Sequence, residues 1–226
     1  MAWELAIFPL PLVLFPGATQ PLHIFEPRYR RLLADCLDGG RRFGIVYAAA
    51  DPARPDWDPE PAPGAVGCTA RIRLAQQLPD GHSNILTDGE RRFVLRAWRP
   101  TDRPYRVARV EEFDDAAADP ADLFPLADEV RERFARLAEL LGTPVAEPAA
   151  FPADVERLSF IVAAALDLDG DTRLALLALR DTATRLRRLA DLLRTLVADA
   201  ERHAAARERA RGNGKGRAHP QRGPAP

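Results

Sequence analysis

Lysine is almost absent: of 226 residues only Lys215 carries an ε-amine, and it lies in a tail rich in Gly and Arg. A Schiff-base lysine, a Ser-Lys dyad and a phosphate-loop lysine therefore have no candidate in the body of the chain. Serine is nearly as scarce. Ser83 follows the turn-like run Pro79-Asp80-Gly81-His82, Ser159 lies in an apolar helical run, and neither has the G-x-S-x-G surroundings of an activated nucleophile. Cys36 and Cys68 are too few for a disulfide scaffold and too far apart for a C-x-x-C site, so buried thiols are the expectation. His23, His82, His203 and His219 do not stand at metal-ligand spacing to one another or to a cysteine, and no metal or cofactor is expected. His23 alternates with Leu22 and Ile24 in a strand-like stretch, where a packed or hydrogen-bonded imidazole is the plainer reading.

Long apolar runs are missing too. Leu5 to Phe15 is interrupted by Pro9 and Pro11 and falls well short of the ~20 residues that cross a bilayer. The opening Met-Ala-Trp-Glu lacks the basic segment of a secretory signal, so a cytoplasmic protein with no membrane association is expected. Charge is balanced overall at -1, but unevenly placed. From Arg202 onward seven basic residues face Glu208 alone, a net of +6, which leaves -7 on the rest. An acidic body argues against nucleic-acid binding except through the tail.

What is present reads as strands followed by helices. Leu5 and Ile7 alternate with Ala6 and Phe8, Phe15-Pro16-Gly17 makes a turn, and Pro21 to Phe25 is a second strand. At Glu26-Pro27 the period changes: a proline suits the first helical turn, and Tyr29, Leu32, Leu33, Cys36 and Leu37 recur at helical spacing up to Gly39-Gly40. Phe43 to Tyr47 reads as a buried strand. Residues 51–64 hold five prolines and Trp57, the composition of a long surface loop in which the indole either anchors on the barrel or is held out for a partner. Val66 to Gln77 alternates, with Cys68, Ala70, Ile72 and Leu74 on one face; a turn at Pro79-Asp80-Gly81 leads to Asn84 to Thr87, a bulge at Gly89 and the run Arg92 to Trp98. Tyr105 to Phe113 completes the strands.

Helices follow. Leu126, Val130, Phe134, Leu137 and Leu141 line one face, and Gly142-Thr143-Pro144 ends that helix. Phe151-Pro152 opens a second with Val155, Leu158, Ile161, Val162 and Leu166; Asp171 or Thr172 caps a short third through Leu179; Asp181-Thr182 begins the last, with Leu186, Leu189, Leu193 and Leu196. The expected fold is α+β: a small, mostly antiparallel β-barrel over 1–117 with one early helix, a helical bundle over 118–201, and a disordered basic tail over 202–226. The leucine stripe of the last helix permits a monomer or a homodimer.

The opening Leu5-Ala6-Ile7-Phe8-Pro9-Leu10, Val13 to Gly17 and Pro21-Leu22-His23-Ile24-Phe25-Glu26-Pro27-Arg28-Tyr29 resembles the start of the substrate-binding N-terminal domain of Lon ATP-dependent proteases. The likeness continues through Phe43 to Val46, Val66 to Ile72, Leu78 to Gly81, Gly89 to Phe93, Leu176-Leu177, Asp181 and Arg185-Leu186, about residues 3 to 200. It implies a PUA-like barrel with a helical bundle. It also implies a bacterial, free-standing, non-catalytic module without the motor or protease domains, whose partners are unfolded or tagged polypeptides and Lon itself. Candidate peptide contacts are Trp3, Trp57 and Trp98. Phe15, Pro16, Pro21, Phe25, Glu26, Pro27, Arg28 and Tyr29 form the motif, to which a folding role is assigned, with a ligand-facing role for Glu26, Arg28 and Tyr29 as the alternative. RNA binding by the PUA-like barrel and tail, and a small molecule held inside the barrel near Trp98, are the competing functions.

Overall fold

The computed structural model describes residues 1–49, 59–142 and 152–213. Six strands come first: β1 Ala2–Leu10, β2 Thr19–Ile24, β3 Arg42–Tyr47, β4 Val66–Gln77, β5 Ser83–Arg99 and β6 Arg106–Glu112, with helix α1, Pro27–Asp38, between β2 and β3. They form one sheet in the order β2-β5-β4-β3-β1-β6, and an added β5–β6 pairing closes the ring. Among the described residues only β1 and β3 run parallel, with Ile7 opposite Gly44. The fold is the α+β barrel that the strand pattern predicts.

The 17-residue β5 makes closure possible by serving two neighbours in turn. Its first half, Ser83 to Asp88, pairs with β2, and its second, Phe93 to Arg99, pairs with β6. Gly89 lies at the changeover, donating to Ala18 O at 2.8 Å. A Cβ there would stand 2.2 Å from Phe15 O, so only glycine lets the two backbones approach.

Alternate residues of the same strands feed two separate cores, the period-2 rule of a sheet covered on both faces. Leu5, Ile7, Val46, Phe93, Leu95, Ala108 and Val110 meet inside the ring. Phe8, Phe43, Ile45, Cys68, Ala70 and Ile72 face outward under α1, where they meet Tyr29, Leu32, Leu33 and Cys36. Leu74 departs from the predicted face and is 62% exposed, because a register shift between Ile72 and Leu74 ends the alternation.

Four helices follow: α2 Pro120–Leu141, α3 Val155–Ala165, α4 Gly170–Leu177 and α5 Thr182–Asn213. Aspartates cap all four N-termini: Asp119 accepts from Ala121 N at 2.9 Å, Asp154 from Arg157 N at 3.2 Å, Asp169 from Thr172 N at 2.9 Å and Asp181 from Thr184 N at 2.7 Å. For α4 the cap is thus Asp169, ahead of the Asp171 or Thr172 expected, and the helix ends at Leu177 and not Leu179. The start of the tail also differs from expectation: α5 runs on through the Ala-, Arg- and Glu-rich stretch to Asn213. Those residues are strong helix formers, so the helix outlasts its apolar stripe. The remainder, 214–226, lies outside the described residues.

The helical core includes Val13, Phe15 and Val66 from the barrel half beside Leu158, Phe160, Leu186, Leu189 and Leu193. Barrel and bundle therefore share this cluster, beside the two that the strands build for themselves.

Candidate functional site

The structure brings two of the three tryptophans to one place. Trp3 stands opposite Val110 and Trp98 opposite Ala108, and both indoles pack on the cluster inside the ring. Trp3 lines a cleft of about 460 Å³ with Leu5, Thr69, Arg42, Glu90, Arg91 and Glu112. Its charges are spent on each other: Arg42 grips Glu90 at 2.5 and 3.0 Å, and Arg91 Nη1 donates to Glu112 at 2.9 Å. Trp98 is committed internally. Its Nε1 donates to Pro61 O at 3.1 Å, and the Arg106 guanidinium lies 5.6 Å from the ring centroid. Trp57 lies outside the described residues.

The space inside the ring is filled. Phe93 reaches across from β5 so far that a Cβ on Gly67 would meet its ring tip, and also Ile45 O, at 2.5 Å; one on Gly44 would meet the ring tip at 2.7 Å. Filled rather than hollow, this interior offers a ligand no room beside Phe93.

The 15–29 motif is spread over several settings. Phe15 is fully buried, 6.3 Å from the Phe160 ring and under the Arg173 guanidinium, where it joins barrel to bundle. Pro16 lines a polar cleft with Glu90, Asp154 and Arg157. Pro21 sits in β2 opposite Leu86, and among the described residues β2 pairs with β5 alone, the edge position that a proline tolerates. Phe25 is 55% exposed beside His23 and His82, and His23 Nδ1 is 2.8 Å from Asn84 Oδ1. Pro27 begins α1, and Glu26 pairs with Arg28 at 2.9 Å instead of capping the helix. Tyr29 is buried and stacked on Phe8 at 3.8 Å, with the Arg28 guanidinium 4.6 Å from its ring.

A buried polar knot that the sequence pattern does not announce sits where the halves meet. Arg92 of β5 donates to Leu177 O at 2.7 Å and Leu179 O at 2.6 Å, satisfying carbonyls at the end of α4. Arg185 of α5 donates to Leu179 O at 2.8 Å and to Ser159 Oγ at 2.7 Å. Both guanidiniums converge on Asp115, which also accepts from Thr182 Oγ1. Burial works to raise the Asp115 pKa, but the hydrogen bonds from Arg185 and Thr182 and the charges of both arginines hold it below the usual carboxylate value. Nearby Glu156 is shifted up, first by burial and then by Asp115. Ser159 is occupied here: it accepts from Arg185 and donates to Glu156 O at 2.6 Å.

Nothing else in the described residues is poised for covalent or metal chemistry. No group of three or more His, Cys, Asp and Glu is placed to hold a metal ion among them. Burial pushes the Cys36 thiol up to about 11 and Cys68 higher still, which keeps both protonated and poorly nucleophilic. Tyr105 donates to Asp35 at 2.6 Å and is raised to about 12, by burial first and then by that bond.

Among the described residues, one open and largely apolar feature is a trough of about 360 Å³ in the helical half. Phe134, Leu137, Ala138 and Leu141 of α2 form one wall; Leu196, Asp199, Ala200 and His203 of α5 form the other; Ala165, Leu166 and Asp167 close it. Sequence periodicity places Phe134, Leu137, Leu141 and Leu196 in the core. The structure leaves Leu141 60% exposed and Phe134 and Leu196 partly so, because the two stripes continue past the point where α3 fills the space between them. The readable signal is the pair of alanines: Ala138 and Ala200 stand where larger side chains would fill the gap.

A family description, the ATP-dependent protease La (LON) substrate-binding domain, matches residues 4–195, barrel and bundle together. Among curated proteins, a Lon protease of Flavobacterium johnsoniae is 25% identical over 166 residues, 70% of this chain and 20% of its own length. A Lon protease of Parabacteroides distasonis is 28% identical over 115 residues, 49% of this chain and 13% of its own. The chain thus spans about a fifth or less of these relatives. Among solved structures, a Lon N-terminal domain protein from Xanthomonas campestris is 30% identical with TM-score 0.58, covering 83% of this chain and 96% of that one. The N-terminal domain of a Mycobacterium avium complex Lon protease has TM-score 0.67 at 18% identity, covering 87% and 99%, a likeness of fold.

Proposed function

The chain belongs to the family of LON substrate-binding domains, and from that premise we propose that it is a non-catalytic module that recognises exposed apolar segments of polypeptides. The observation that carries the reading is the family match over 4–195, which takes in the described barrel from Glu4 onward and the bundle up to the middle of α5. The chemistry of the surface supports it. Ser159 and both cysteines are buried in structural contacts, and the 226 residues contain no G-x-x-x-x-G-K-[ST] phosphate loop. What the fold offers solvent instead includes an apolar trough between α2 and α5 and, in a cleft otherwise lined by paired charges, the Trp3 indole. Unfolded chains expose the apolar side chains that such surfaces bury. Lon protease is the partner this reading places beside the protein, as adaptor or as competitor for substrate, in the cytoplasm.

The test is titration of the full chain into a labelled, permanently unfolded polypeptide and, separately, a labelled single-stranded RNA, each at low and high salt. Burial of apolar surface predicts polypeptide binding that survives high salt. Binding of RNA alone, weakening steeply with salt, would transfer the function to the basic tail and overturn the proposal.

A further inference from the structure

We infer that the trough between α2 and α5 receives its polypeptide as an amphipathic helix carrying a basic residue, not as an extended strand. The inference rests on the polypeptide-recognition reading and names the conformation and charge of what is recognised. The walls are helical ridges of the same spacing: 134, 137, 138 and 141 on one side, and 196, 199, 200 and 203 on the other, each i, i+3, i+4, i+7. Seven residues of helix rise about 10 Å, so the trough runs straight for roughly two turns of a partner. A third helix lays its own ridge into such a groove, and the buried alanines Ala138 and Ala200 on the two walls let its backbone come close.

Main-chain chemistry excludes the extended alternative. A strand brings a row of N–H and C=O groups that need partners, and the walls are helical turns whose main-chain groups are bonded internally except for carbonyls in the last turns of α2 and α3 at one end, which offer a strand no continuous row of partners. Over this largely apolar surface those groups would lose water and gain nothing. A helix arrives with its backbone satisfied and presents only side chains, the i, i+3, i+4, i+7 anchors of helix-in-groove recognition. Charge sets the rest. The ionisable side chains of the lining are Asp167, Asp199 and His203, and Asp199 is already held by Arg202 of its own helix. Asp167 is exposed at the closed end, so a lysine or arginine beside the partner's apolar face is matched there, and a carboxylate is repelled.

The experiment uses the full chain and labelled peptides of about 16 residues, long enough for roughly four helical turns. One carries a Leu stripe flanked by Lys, the second has two central residues changed to Pro, and the third has Glu for Lys. The Lys peptide is expected to bind at least about tenfold more tightly than the Pro peptide, because proline breaks the helix interior. Leu141→Asp weakens it by a similar factor, with the helical circular dichroism of the protein unchanged, and Asp167→Arg shifts preference towards the Glu peptide. Equal binding of the Pro peptide, or indifference to Leu141→Asp, overturns the inference. So does a dimer in sedimentation that Leu141→Asp dissociates, since a second copy would then fill the trough. If the unfolded polypeptide still binds in those cases, polypeptide recognition stands and only its place and mode are wrong; if neither peptide nor unfolded chain binds, both readings fall.

Discussion

Arg185 and Asp115 meet as a two-pronged pair with both side chains nearly shut off from solvent: Nη1 donates to Oδ1 at 3.2 Å and Nη2 donates to Oδ2. One residue comes from the last helix and the other from the link between β6 and α2, 70 positions apart. Arg92 adds a third element, β5. A buried ion pair is weak evidence for net stability, because desolvation offsets much of the attraction. Its strength here is geometric: the two guanidiniums reach acceptors on the β6–α2 link (Asp115), on α3 (Ser159) and on the stretch from the end of α4 to the start of α5 (Leu177, Leu179, Thr182), so the knot fixes how barrel and bundle meet.

Arg185→Met is therefore expected to destabilise the protein by about 3 kcal/mol, the lower end of the range for breaking a buried pair, because Arg92 still faces Asp115. Urea unfolding measures it as a lowered midpoint. A loss below about 1 kcal/mol, the level of a surface pair, would show that the knot contributes no more than a solvent-exposed contact.

The same knot predicts an acid response. Asp115 has a lowered pKa in the folded state, so the unfolded chain binds its proton at higher pH than the folded protein does. The stabilisation is complete above the unfolded Asp value, about 3.9, and is lost as pH falls through the lower folded value. Asp115→Asn should be less stable than the parent at pH 7, and the gap should close below about pH 4. Glu156, raised in the fold by burial and then by Asp115, has the opposite sign, so the part of its shift that Asp115→Asn removes works against the closing gap and does not mimic it. A gap constant from pH 7 to pH 3 would assign the loss to packing rather than to charge.

How much of this was legible beforehand depended on whether the information was local. Strand and helix periods are local, and they placed the strands, α1 and the bundle. Pro27 and Gly142 mark helix ends by their own backbone preferences. The knot is not local: Arg92, Asp115 and Arg185 look like ordinary charged residues until the fold brings them together, and nothing in their spacing marks them as buried. Leu141 failed in the other direction. Its period is that of a core residue, but whether a core position is covered depends on where the partner helices stop, which period does not encode. Residues 202–213 lack an apolar stripe, which predicts disorder, yet they continue α5, because Ala and Arg favour a helix by their own propensity.

Inside the barrel, Gly67→Ala puts a methyl group 2.5 Å from both Ile45 O and the Phe93 ring tip. The ring can swing away, but the carbonyl belongs to the β3–β4 ladder and cannot, so about 1–3 kcal/mol of stability is lost. Gly40→Ala, where nothing lies within 4 Å, is the control and should be close to neutral. Thermal melts of the two variants compare them directly; equal melting temperatures would mean that the barrel interior relaxes more freely than its packing implies.

In the 15–29 motif, Tyr29 and Glu26 should separate cleanly. Tyr29→Ala removes a buried ring stacked on Phe8 and is expected to cost about 3 kcal/mol or more. Glu26→Ala breaks a partly exposed pair with Arg28 and should cost no more than about 1 kcal/mol. If Glu26→Ala instead left stability intact and abolished polypeptide binding, the motif would be a contact surface and not a folding device.

Barrel and bundle are proposed as separate units by sequence pattern, with the boundary near residue 117, yet their shared core argues that neither half folds alone. Val13, Phe15 and Val66 of the barrel half are buried in the cluster formed by α2, α3, α4 and α5. Cutting after residue 117 would expose Phe15, worth roughly 2 to 3 kcal/mol of burial by itself. It would also leave Arg92 and Asp115 without Arg185, Thr182 and the Leu177 and Leu179 carbonyls. A domain's net stability is typically only about 5–15 kcal/mol, so these losses together remove most of it. The full chain is accordingly expected to unfold in one cooperative urea transition seen alike by tryptophan fluorescence, which reports the barrel, and far-ultraviolet circular dichroism, dominated by the helices. The fragment 1–117 is expected to show no cooperative transition. Two separated transitions in the full chain, with a fragment that melts sharply, would mean that the interface is an accessory to two independent folds and that the knot only orients them.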